Sequence, residues 1–67
     1  MPWSENNYPA SMKNLTEEVR DKAIEIANAL LEEKDYDEGK AIPIAIAKAE
    51  EWASRRGKPV KQRDYTD

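Results

Sequence analysis

Thr16-Glu-Glu-Val-Arg-Asp-Lys-Ala-Ile-Glu-Ile-Ala-Asn-Ala-Leu-Leu-Glu-Glu33 is followed, three residues later, by Asp37-Glu-Gly-Lys-Ala-Ile-Pro-Ile-Ala-Ile-Ala-Lys-Ala-Glu-Glu-Trp-Ala-Ser-Arg-Arg56. In the first segment Val19, Ala23, Ile26, Ala27 and Leu30 recur at steps of three and four, with Ile24 and Leu31 widening the stripe. That spacing collects apolar side chains on one face of an α-helix. Ile42, Ala45, Ile46, Ala49, Trp52 and Ala53 repeat the pattern in the second segment. A link this short must turn the chain straight back, so the sequence predicts an all-α fold built on an antiparallel two-helix hairpin.

The helix ends carry their own signals. Thr16 and Asp37 are residue types that accept hydrogen bonds from the free N–H groups at a helix start. Glu17, Glu18 and Asp21 add negative charge where the helix dipole is positive. Glu32 and Glu33 do the opposite at the other end, which predicts fraying near Lys34. Gly57 is a stop signal for the second helix. Pro43 has no N–H to give to the Gly39 carbonyl, so a helix that begins at Asp37–Lys40 should be distorted there. Alanines at 41, 45, 47, 49 and 53 leave a smooth surface that lets another helix come close.

Nine of the apolar residues are alanines and only ten are Ile, Leu or Val, so the hairpin is short of bulk. The N-terminal arm can supply it, because Trp3, Tyr8, Met12 and Leu15 are spaced among turn residues Pro2, Asn6, Asn7, Pro9 and Asn14. We expect this arm to pack across the hairpin, with a short extra helical turn at Pro9–Asn14. Residues 1–57 then form a single small helical domain, and 58–67 are expected to be a disordered basic tail.

Sixty-seven residues with no Cys and no His close the disulfide and zinc routes by which small domains are often stapled. The same absence leaves Ser4, Ser11 and Ser54 without an imidazole to activate them, and no catalytic or cofactor-binding residue is expected. The acidic turn, Glu32 to Glu38, resembles a calcium loop only superficially. The glycine of Asp35-x-Asp37-x-Gly39 comes one place early and the twelfth position is Ile46, so no metal ligands are assigned. Arg55, Arg56, Lys58, Lys61 and Arg63 form a basic run that could contact nucleic-acid phosphates, against an overall charge of −3. Ile42, Ile46, Ala49 and Trp52 are the candidate surface for a protein partner or for self-association. With no apolar leader and no run of about 18 apolar residues, we expect a cytoplasmic chain that uses neither membrane nor small-molecule substrate.

The residues Tyr8-Pro-x-Ser-Met-Lys-Asn-Leu15 and Val19-Arg-x-Lys-Ala23-Ile-x-Ile-Ala-Asn28-Ala resemble the opening of the ChaB-like family of small bacterial proteins, named for regulation of cation transport. Met1-Pro-Trp3, Ile26-Ala-Asn-Ala29, Tyr36-Asp-Glu-Gly39 and Ala49-Glu-Glu-Trp52 resemble a group of short proteins of bacilli and their relatives. The likeness runs from residue 1 to about residue 53. It implies an all-α bacterial protein of the cytoplasm and, through the family name, a regulator of cation transport, without carrying over any ligand or catalytic residue.

Overall fold

The computed structural model describes residues 3–58. A 3-10 turn, Ala10–Met12, precedes two helices, α1 (Glu17–Glu33) and α2 (Glu38–Arg55), and the described residues hold no strand, only isolated bridge positions such as Ser4–Asn7. The hairpin is antiparallel: Lys58, just past the end of α2, reaches Glu18 in the first turn of α1, Nζ to Oε2 2.8 Å.

Both predicted caps are in place. Thr16 Oγ1 accepts from the Val19 N–H at 3.5 Å, and Asp37 Oδ1 accepts from the Lys40 N–H at 2.9 Å. α1 keeps its helical form to Glu33 despite the two adverse charges. Its last turn closes because the N–H groups of Lys34 and Tyr36 both donate to the Leu30 carbonyl, at 3.1 and 3.2 Å. That geometry requires Asp35 in the left-handed region, φ 58°, where a side chain is disfavoured and glycine is not. Asp35→Gly should therefore raise stability by about 0.5–1 kcal/mol, helped by removal of an acid beside the negative end of α1. A urea midpoint that rises with unchanged slope checks it.

α2 runs without interruption through Pro43, which sits on the exposed outer face. The Gly39 carbonyl that loses its partner is on an exposed residue too, so water can replace the missing N–H. At the far end Gly57 takes φ 66°, donates to the Ser54 carbonyl at 3.2 Å, and lets the Lys58 N–H reach the Ala53 carbonyl at 2.9 Å. This pair of bonds is the αL stop that the sequence promised.

The core is unusual in composition. Ala41, Ala45, Ala49 and Ala53, each four residues after the last, have no exposed surface, and they share one buried cluster, except Ala41, with Val19, Ala23 and Ala27. Small side chains on both helices allow close approach but contribute little volume. The arm supplies what is missing: Met12 is fully buried and Leu15 is 2% exposed.

Two polar side chains of α1 fasten the arm. Asn28, 2% exposed, accepts from the Trp3 N–H at 3.2 Å and donates to the Trp3 carbonyl at 3.0 Å. Arg20 gathers the carbonyls of Met12, Lys13 and Leu15 at 3.2, 3.3 and 2.8 Å, with its guanidinium 4.7 Å from the Tyr8 ring centre. Carbonyls at the end of the 3-10 turn are thus satisfied by a charge.

Asn28→Asp tests the first clasp, since a carboxylate can still accept from the Trp3 N–H but faces the Trp3 carbonyl with a lone pair. At neutral pH the variant should lose about 2 kcal/mol or more. The buried acid is easier to protonate than to bury charged, so its pKa rises on folding and the loss shrinks as pH falls. Stability measured from neutral to acid pH should converge on that of the parent chain. A constant gap would contradict the geometry.

Candidate interaction surface

The arm covers only one side of the hairpin. An α-helix turns about 100° per residue, so Ile26 lies about 120° around α1 from Arg20 and about 160° from Asn28, the two residues that hold the arm. Lys22, Ile26 and Leu30 form a row four residues apart along that other side. Trp52 of α2 faces the same row, with Lys22 Nζ 5.6 Å from its ring centre. Ile26, Leu30 and Trp52 are half-buried and pack against the core cluster with their outer surfaces still accessible.

Around Trp52 the chemistry is mixed. Its ring carries the Arg56 guanidinium 4.9 Å from the centre, while Lys22 is also paired to Glu25 at 2.9 Å. A shallow groove of about 270 Å³ runs between Trp52 and the α1 residues Glu18, Asp21, Lys22 and Glu25. An aromatic plate framed by paired charges suits a protein surface, where one face is dry and the rim is wet.

The residues singled out from the sequence are dispersed. Ala49 has no exposed surface and lies in the seam between the helices, so it is closed to a partner. Ile42 and Ile46 are half-buried, but Ile46 is about 120° and Ile42 about 80° around α2 from Trp52. The alanine seam separates them from Trp52, and only Trp52 of the four belongs to the flank away from the arm. Ile26 and Leu30, core positions by their spacing in the sequence, are half-buried at the edge of the seam. Their role at the edge could have been found from the alanines, because a seam filled by small side chains pushes larger ones to its margins.

The basic run is partly neutralised where it is described. Arg55 pairs with Glu51 at 3.1 Å, Lys58 with Glu18 at 2.8 Å, and Arg56 donates to the Trp52 carbonyl at 3.5 Å besides lying over its ring. Lys61 and Arg63, with the rest of the tail from 59, lie outside the described residues. In the acidic turn, Asp37 is engaged as the cap of α2, and no three acids converge as a metal site among the described residues. No helix among them is long and apolar enough to cross a membrane.

Comparison with known proteins gives one informative match. The chain is 64% identical over 53 residues, 79% of its length, to the uncharacterised protein YdaT of Bacillus subtilis, and spans 35% of that protein. No family model matches the chain, and no solved structure matches it. The ChaB-like resemblance therefore rests on the quoted residues alone.

Proposed function

We propose that this chain is a non-enzymatic protein-interaction module of the bacterial cytoplasm, an adaptor whose working surface is the flank of Ile26, Leu30 and Trp52. The observation that carries the reading is a half-buried tryptophan beside two half-buried aliphatic residues on the side of the hairpin the arm leaves open. Tryptophan in such a setting is the residue most enriched among those that dominate binding energy. Sequence chemistry points the same way, because a chain without His or Cys lacks the side chain most often used as a general base and the thiolate nucleophile. The ion pairs around Arg55 and Lys58 favour this reading over nucleic-acid binding, since Glu51 and Glu18 place negative charge where phosphate would have to approach.

The test is capture of partners from the source cell by the tagged full chain, alongside Trp52→Ala and Leu30→Gln, each first shown to keep its helical circular dichroism. Partners bound by the parent chain should be lost from both variants. Retention by both would overturn the assignment of the surface.

A further inference from the structure

We propose that residues 59–67 lie back along the shallow groove between Trp52 and α1, so that the chain's own tail is the first occupant of the flank and a partner must displace it. This rests on the reading of the flank as an interaction surface and adds what covers it. Three observations select the tail, and the first is where the chain leaves the fold. Gly57, in the left-handed region, lets the Lys58 N–H return to the Ala53 carbonyl at 2.9 Å, which turns the chain back at the end of α2. Lys58 then sets its ammonium on Glu18 at 2.8 Å, and Glu18 is itself one of the residues that line the groove. The tail therefore starts at the mouth of the groove.

Length is the second. Pro59 disfavours the helical region at Lys58, and an extended chain advances about 3.3 Å per residue against about 1.5 Å for α1. Running with α1 from the Lys58–Glu18 pair, Val60 comes level with Lys22 and Trp52, Lys61 with Glu25, and Tyr65 has chain enough to pass Leu30. Val60 and Tyr65 are the side chains this stretch offers to Trp52, Ile26 and Leu30. Charge is the third. The lining of the groove, Glu18, Asp21, Lys22, Glu25 and Trp52, holds three acids and one base. Asp21 has no ion pair among the described residues. α1 as a whole has six acids and two bases, and one of the bases, Arg20, is engaged by the arm. From 58 to 63 the chain has Lys58, Lys61 and Arg63 and no acid, with Asp64 and Asp67 following only beyond that run. Lys58 on Glu18, and Lys22 over the Trp52 ring, already show how a lysine seats here. The complementarity is local, a run of cations against the acidic bank of the groove.

Nuclear Overhauser spectra of the full chain should show cross-peaks from the Val60 methyls to the Trp52 ring and from the Tyr65 ring to the Ile26 or Leu30 methyls. They should weaken as ionic strength rises from about 0.02 M to about 0.5 M. Lys61→Glu combined with Arg63→Glu should abolish them while the circular dichroism stays helical, and this double variant should capture more of any partner that Trp52→Ala loses. Cross-peaks that survive the charge reversal unchanged overturn the pairing on which the placement rests. Cross-peaks that appear only between labelled and unlabelled chains in a mixed sample put another copy's tail in the groove and overturn the fold-back. Absence of any contact between the tail and the flank in the parent chain overturns the proposal outright. In that event, capture that still depends on Trp52 leaves the interaction surface standing without its cover, and capture of nothing removes both readings.

Discussion

Met12→Ala should remove about 2–5 kcal/mol of folding free energy, and in a chain of this size that approaches the whole. A single thin core in a domain below about 70–80 residues rarely supplies more than about 3–5 kcal/mol. Met12 is fully buried in a cluster in which five of the nine residues are alanines, so much of the wall around the vacated space has no side chain to move into it. Its carbonyl is also a ligand of Arg20, so the side chain and the Arg20 clasp hold the same turn. The variant should show a thermal transition well below that of the parent, with weak helical dichroism at room temperature. Met12→Leu keeps volume and burial and should cost less than about 1.5 kcal/mol. If the alanine variant melted with the parent, the arm would be a passenger and α1 and α2 would have to stand on their own seam.

How far the chain could be read in advance follows from which forces act locally. Thr16, Asp37 and Gly57 announce helix ends through bonds made within four residues of themselves, and all three do so here. The stripe spacing fixes which arc of each helix is apolar, so the hairpin and the pressing-down of Met12 and Leu15 were legible. The division of that arc was not. Whether Ile46 or Ile26 borders the open side depends on where the arm crosses, and that is set by Asn28 and Arg20 gripping backbone groups at Trp3, Met12, Lys13 and Leu15. These bonds span up to 25 residues and leave no periodic trace. A polar Asn28 inside the apolar arc was the visible hint, since a buried amide must have partners. Asp35 gave no hint, because its left-handed backbone answers to the closing of α1 on the Leu30 carbonyl.

Ala49→Leu is expected to destabilise the fold by about 1–3 kcal/mol or more, although leucine is nearly as good a helix former as alanine and far more apolar. Two effects compete. Burying a leucine side chain would gain about 1.5–3 kcal/mol if space existed. Ala49 has no exposed surface and sits in a ladder with Ala45 and Ala53, so three extra carbons can enter only by forcing α1 and α2 apart. Separation strips contact from every rung at once, which is why strain should exceed transfer. Ala47→Leu is the control, on the exposed face of the same helix, and should change stability by no more than about 0.5 kcal/mol. A more stable Ala49→Leu chain would mean the helices are not in close contact along the alanines. Ile26, Leu30 and Trp52 would then have room to turn inward, and the flank offered to a partner would be core.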